Sequence, residues 1–466
     1  MRRIITVCSG PLTRGVRGVH QCVSGLGSDS RIIVRGIIWV FAFVFVGKLI
    51  GAGKEIIVAS KFGINVEIDA YLFLLSLCVW PIGILFGVLT VVLVPLVRRA
   101  VEENVNSHEL NQFLKELLGY IIVTSIILGL LGYIFIKCWL HSRFCDLPYS
   151  TIEIGERILP YLAPLLPLAM VISLFSAWMI AAGRHSNTLM EAIPALVIGL
   201  VLLPSRSTVV LLAAATLLGY MVHLAVLVLA NRNGGCSLVP SLTRHSRYWS
   251  VFLRGAGLVL LGQIFIGTIP IVDQFFAAKI GGGNIATLSY ATRIWGLLLG
   301  IGATAITRAT LHVFAAVGTR NRSQATRTLA RNWAIALFIG GTVLASAGWM
   351  GSTSIVRVLF ERGEFGESET AAVATVLKWG LIQMPFYFSS LIWVSLISGQ
   401  QRYSVLIFSG ISGLAVKVAA NYLFIGSLGA SGIALSWTFV YAVNLTYLVY
   451  INRPTRAGAD KLIAIP

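Results

Sequence analysis

The chain has 466 residues, 57% of them hydrophobic and 12% charged, with a mean hydropathy of +0.85. A soluble domain carries roughly twice that charge, so a soluble enzyme or binding module is excluded. The net charge of +18 would point a soluble protein to nucleic acid, but here the basic residues lie in loops between apolar runs. There they set membrane topology, and no nucleic-acid partner is expected.

Residues 1–30 are polar and glycine-rich, carry Arg2, Arg3, Arg14 and Arg17, and lack the apolar stretch of a signal peptide. They read as a cytoplasmic tail. Apolar runs long enough to cross a bilayer as helices then recur to the C-terminus, and the alternating segments of a membrane barrel are absent. In chain order the expected spans are about 33–53, 68–96 with a kink at Pro81, 117–138, 158–182, 187–203 and 208–230. A polar linker, 231–250, holds Arg232, Arg244 and Arg247. Six further spans follow at about 255–278, 286–315, 332–350, 371–398, 404–425 and 429–451, then a tail, 453–466. The expected fold is an all-α polytopic membrane protein of about twelve helices in two six-helix lobes, 31–230 and 251–452. Loops after even-numbered spans hold the positive excess (Arg98, Arg99, Arg184, Arg247, Arg327, Arg402), which places both termini in the cytoplasm.

The halves echo one another. KEIIVASKFG (54–63) returns as DQFFAAKIG (273–281), aligning Glu55 with Asp273, Lys61 with Lys279 and Gly63 with Gly281 at an offset of 273 − 55 = 218. A repeat of six spans is even, so the lobes share one orientation about an axis along the membrane normal.

Charges in or beside spans are site candidates, because each costs at least ~2.5–3.5 kcal/mol at mid-membrane. Lys48, Lys54 and Arg293 are expected to make a cationic cavity between the lobes, suited to an anion such as phosphate or pyrophosphate. Glu55, Asp69 and Asp273 would pair with these cations or couple ions. Lys61 and Lys279 sit at span ends, where snorkelling explains them. Arg308 marks the cytoplasmic end of its span, and Lys378 and Lys417 stay open between cavity and packing. Six cysteines are too few for a disulfide framework; Cys138 and Cys145 share one outer loop, as a disulfide or as two thiols. The seven histidines show no metal spacing, no nucleotide loop is present, and neither enzyme activity, a cofactor nor a metal is expected. Secondary transport is the default.

Four segments resemble the MurJ/MviN family of lipid II flippases in the MOP transporter superfamily. They are GKLIGAGKEIIVASKFGINVEIDAY (47–71), GRHSNTLMEAIPALVIG (183–199), VDQFFAAKIGGGNIATLSYATRIWGL (272–297) and LFERGEF (359–365). The resemblance implies a V-shaped pair of lobes that alternate access and carry an undecaprenyl-pyrophosphate-linked saccharide across the inner membrane. It assigns the family's cationic positions to Lys48, Lys54 and Arg293 and its acidic position to Asp69; Glu55 stands where the family has Asp. It makes Glu361, Arg362 and Gly363 part of an outer-loop motif. Drive would come from membrane potential or a Na⁺ or H⁺ gradient. Partners would be the lipid-linked saccharide, membrane lipids and cell-envelope biosynthesis proteins.

The chain also departs from the pattern. Two family arginines are the lysines 48 and 54, Ile82-Gly83 stands where another arginine is expected, and twelve spans replace fourteen. A flippase for an exopolysaccharide or O-antigen repeat unit is therefore the main alternative. Other rivals are a MATE-type cation exporter, which would need an acidic cavity, a glycosyltransferase using Glu361 and Glu364, and a non-transporting scaffold.

Overall fold

The computed structural model describes residues 28–102, 107–142, 147–184, 186–204, 208–232, 239–318, 324–400 and 402–452. The N-terminal tail up to residue 27, the C-terminal tail and Cys145 lie outside these. Cys138 is an exposed free thiol.

Among the described residues the first half contains α1 (Ser28–Phe62) and α2 (Val66–Val88), which runs through a π-turn (Leu89–Leu93) into α3 (Val94–Glu102). It continues with α4 (Ser107–Leu140), α5 (Tyr149–Leu162), α6 (Leu165–Ala181), α7 (Asn187–Met190), α8 (Ile193–Leu202) and α9 (Val209–Arg232). The second half contains α10 (Tyr248–Ile280), α11 (Asn284–Gly318), α12 (Gln324–Phe360), α13 (Glu367–Leu381), α14 (Met384–Gly399), α15 (Tyr403–Leu428) and α16 (Ala430–Ile451). Among the described residues, eight helices are long and apolar enough to cross a membrane, ten if each bent pair is one span. Of the twelve expected spans, the first lies on α1, which carries seven charged residues, and the fifth is the short apolar helix Asn187–Leu202.

Several boundaries move. The first helix runs on to Phe62, so Lys54 and Glu55 lie within it, not in a loop after residue 53. The second helix continues through Pro81, and its irregular turn comes later, at Leu89–Leu93. The seventh span starts at Tyr248, and residues 239–247 form an extended strap on α4.

The repeat is visible in the bends. The α5–α6 and α13–α14 pairs each break and turn by 42°. Their second members start at Leu165 and Met384, an offset of 384 − 165 = 219, close to the offset of the repeated acid. Gly63 and Gly281 both stop a helix with positive φ, 59° and 123°, a conformation that costs a side chain at Cβ.

Apolar side chains face outward as well as inward. Ile126, Leu130 and Ile134 line one exposed face of α4, and Ile335, Ile339 and Val343 one of α12. Such surface is stable against lipid tails, not water. The core has a telling division. At the end of the bundle where α1 stops and α11 starts, one core runs across both halves, joining Phe62, Tyr71 and Phe73 to Ala277, Tyr290, Trp295 and Leu377. At the other end it separates. Phe113, Trp178 and Met179 form one cluster, and Ala330, Trp393, Ile397 and Leu448 another. The bundle is therefore joined at one end and divided at the other. Helix α10 bridges the division, its Trp249 and Phe252 seated in the first half's cluster. Gly87 of α2 lies against Gln263 of α10, and Gly267 of α10 against Ile84, the small-residue contact by which membrane helices approach closely.

Glu116 of α4 fastens the strap. It is fully buried, and its carboxylate accepts hydrogen bonds from Gln112 (2.9 Å), Thr243 Oγ1 (2.9 Å), the His245 amide (3.1 Å) and Trp249 Nε1 (2.8 Å). The Ser241 amide donates to the Lys115 carbonyl at 3.0 Å, and Arg247 pairs with Glu109 at 2.8 Å. Each buried donor left without its acceptor costs ~1–3 kcal/mol. Glu116→Ala is expected to lower the unfolding temperature and speed protease cleavage between residues 239 and 247, with Glu116→Gln intermediate. Cleavage at the wild-type rate in Glu116→Ala would show that the strap is held otherwise.

Candidate functional site

The site lies where the halves are joined, and it begins with the end of α1. Gly63 turns the chain, and Asn65 caps α2 by accepting the Ile68 amide at 2.8 Å. This places Asp69 in the first turn of α2, 2% exposed. Its carboxylate reaches the other half, accepting the amides of Gly283 at 2.5 Å and Ala286 at 2.7 Å. Those amides open α11, whose N-terminus attracts negative charge through unpaired N–H groups and the helix dipole. Asp69 is thus a helix cap supplied across the interface. It does not pair with a lysine, contrary to one reading of the sequence.

The LFERGEF motif closes the same end. The Glu364 amide donates to the Ser60 carbonyl at 2.9 Å, and Tyr290 Oη donates to the Gly63 carbonyl at 3.3 Å while packing on Phe360 and Phe365. Gly363 has φ 61°, and a Cβ there would collide with the Ser60 carbonyl. Its contribution is close backbone approach. Glu361, just past the end of α12, pairs with Arg357 of that helix at 3.3 Å, and Arg362 donates to the Val358 carbonyl at 2.8 Å. Neither side chain makes the contact between halves; Gly363 and the Glu364 backbone do.

About 10 Å back along α1 from its end, at 1.5 Å per residue, Glu55 binds two cations. It forms ion pairs with Lys54 on its own helix and with Arg293 on α11. The side chains are 13%, 10% and 33% exposed for Lys54, Glu55 and Arg293. One carboxylate between two cations leaves an excess of one positive charge, with the guanidinium the most open of the three. A planar guanidinium held on one side suits a phosphate oxygen on the other.

The other expected residues separate from this cluster. Lys48 lies on a different, exposed face of α1, within electrostatic reach of Glu191. Six residues turn a helix by about 240°, so Lys48 and Lys54 do not point together. Asp273, the repeat partner of Glu55, faces inward in its own half and pairs with Lys417 of α15 at 2.9 Å. It meets none of Lys48, Lys54 or Arg293 in the described contacts. Lys378 is half-buried on α13, and the side chain of Arg308 lies outside the description. Sequence reasoning missed Glu116 and Glu191. An acid beside an apolar run is itself the signal, but Glu116 falls one residue before the span expected from residue 117.

The family model for the lipid II flippase MurJ matches residues 58–465. The chain belongs to the MurJ lipid II flippase family. A probable lipid II flippase MurJ of Rhizobium meliloti is 31% identical over 220 residues, 46% of this chain and 40% of that protein. One from Helicobacter pylori is 28% identical over 200 residues, 42% of each. These matches span about two-fifths of the curated relatives' length. Among solved structures, a lipid II flippase MurJ in an inward closed conformation superposes with a TM-score of 0.77 at 16% identity, covering 89% of this chain and 87% of that one. An inward-facing MATE multidrug transporter of the MOP superfamily gives 0.66 at 15% identity, covering 87% and 94%. The fold is that of MurJ and MATE proteins, and the chain is a multi-pass protein of the inner membrane.

Asp69 generates a direct test. A side-chain cap and its charge contribute ~0.5–2 kcal/mol. Asp69→Ala should therefore raise the maleimide labelling rate of a cysteine at buried Ser289 (Ser289→Cys, native cysteines replaced) about 2- to 30-fold. Asp69→Asn, which still accepts a hydrogen bond, should do less. Equal rates in all three backgrounds would remove Asp69 from the closure.

Proposed function

We propose that the protein is a flippase that moves an undecaprenyl-pyrophosphate-linked saccharide of the lipid II type from the inner to the outer leaflet. The observation that carries this reading is the excess positive charge of Lys54, Glu55 and Arg293 at the apex of a division between two helix sets. Family membership supplies the cargo class. The pyrophosphate would bind Arg293 and Lys54 while Glu55 holds their geometry. The polyprenyl tail would stay in lipid between the halves, with Lys48 meeting the headgroup on its way in. Basic residues at the divided end, among them Arg98, Arg184, Arg327 and Arg402, put that end in the cytoplasm. Breaking the Asp69 and Glu364 contacts and closing the divided end would release the headgroup outside. Membrane potential supplies ~2.3 kcal/mol per charge per 100 mV. A proton or sodium gradient is the other source of drive. No step in this cycle makes or breaks a covalent bond, so the protein acts as a transporter and not as an enzyme. A MATE-like export of cations fits the fold but not a cluster with two cations to one acid.

The test is complementation of a strain depleted of its lipid II flippase, beside the same assay in an exopolysaccharide flippase mutant. Rescue of the first is expected. Lys54→Ala and Arg293→Ala should each reduce flipping at least tenfold, about 1.4 kcal/mol, with normal amounts of protein in the membrane. Rescue of only the second strain would reassign the cargo to a polysaccharide unit, and wild-type flipping in both variants would reject the cationic cluster as its binding site.

A further inference from the structure

The internal repeat gives the chain two copies of one acid, and they have taken different surroundings. Glu55 faces the other half and holds cations that remain partly open. Asp273 faces its own half and holds one that is sealed. Lys417 is 0% exposed, and its ammonium has three N–H donors. The structure supplies three oxygens of three kinds: Asp273 Oδ1 at 2.9 Å, the Ile433 carbonyl at 2.8 Å and Ser436 Oγ at 2.6 Å. The face of the Trp437 ring lies 4.5 Å away, a further cation-attracting surface.

The shell behind these atoms is complete as well. Asn421 Nδ2 donates to Asp273 Oδ1 at 3.1 Å, Trp437 Nε1 to Asp273 Oδ2 at 2.8 Å, and Ser436 Oγ approaches Asn421 Oδ1 at 2.6 Å. Carboxylate, backbone carbonyl and hydroxyl oxygens converging from two helices, α10 and α16, are of the types that hard metal cations take. All three N–H donors of the buried ammonium are met, one of them by main chain. Here the Ile433 carbonyl, four residues into α16, is turned to the ammonium.

We propose that this cluster is a monovalent-cation site of the second half in which the Lys417 ammonium, a tethered cation, occupies the place of a free ion. The charge arrives with the chain, and an alkali cation finds no vacancy beside Asp273. The three helices α10, α15 and α16 are held together by a cation that cannot leave. An exogenous coupling ion, where the transport cycle uses one, binds elsewhere. The inference is independent of which lipid-linked saccharide is carried.

The experiment measures unfolding temperature of the purified full-length protein in sodium, potassium, lithium or choline chloride at one ionic strength. The wild type should give the same midpoint in all four. Lys417→Ala should lose several degrees in choline and recover most of them in one small alkali cation or in methylammonium, which fills the emptied place. The charge-balanced double variant Asp273→Asn with Lys417→Met should show no cation dependence. If Lys417→Ala yields folded protein only when purified in an alkali salt, that requirement is the same positive result. A wild-type midpoint that rises in sodium over choline would overturn the proposal, because the site would then be open to a free ion. So would a Lys417→Ala variant whose loss, or whose failure to fold, is the same in every salt, since the pair would then be packing alone.

Discussion

The carboxylate of Asp69 against the first amides of α11 is the contact on which the architecture depends. It joins residues 214 positions apart, and it satisfies a helix end that would otherwise be buried with unpaired N–H groups. Around it the core is continuous across both halves, and away from it the core divides. Glu55 and Arg293 pair across the halves at that joined end. The contact is also of the kind that can be given up. A cap is worth little beside the burial that holds each half together, so the halves can part there while each stays folded. Gly63 and Gly363 serve the same end, because their bare backbones let two turns meet without interlocking side chains.

The repeated acid shows how a duplication can divide labour. Glu55 and Asp273 occupy matching positions on matching helices, and each binds cations. The first spends its charge between the halves, where Arg293 stays a third exposed. The second is consumed inside its own half by Lys417. Removing one partner from a buried pair typically costs ~3–5 kcal/mol, so the Asp273 cluster stiffens the second half. In the Glu55 cluster the Arg293 guanidinium stays a third exposed, and that open side is where an anionic ligand would bind. The bent α5–α6 and α13–α14 pairs show that the backbone of the repeat survives even where the side chains have parted ways.

Much of the fold was legible because lipid allows few choices. Apolar runs of sufficient length must be helices, basic loops mark one side, and an offset near half the chain marks a repeat. The cluster residues were legible as charges in the wrong solvent. What the residues do with one another was not. Whether Lys48 joins Lys54 depends on the helix phase, and a single continuous α1 turns them apart. The partner of Asp69 is backbone, which leaves no mark in a sequence. The role of Gly363 depends on the Ser60 carbonyl, some three hundred residues away. Glu116 was hidden because it stands with Lys115 and Gln112 just outside the apolar run that begins at residue 117.

The central claim is that the joined end must open for cargo to leave. The hydrogen bond between the Glu364 amide and the Ser60 carbonyl brings those two backbones within disulfide range. The decisive measurement is lipid-linked saccharide flipping by the Ser60→Cys, Glu364→Cys double variant in vesicles, before and after reduction, with native cysteines replaced. The account predicts a cross-link that forms spontaneously, stops flipping, and releases it when reduced. Flipping at the full rate by cross-linked protein would contradict it.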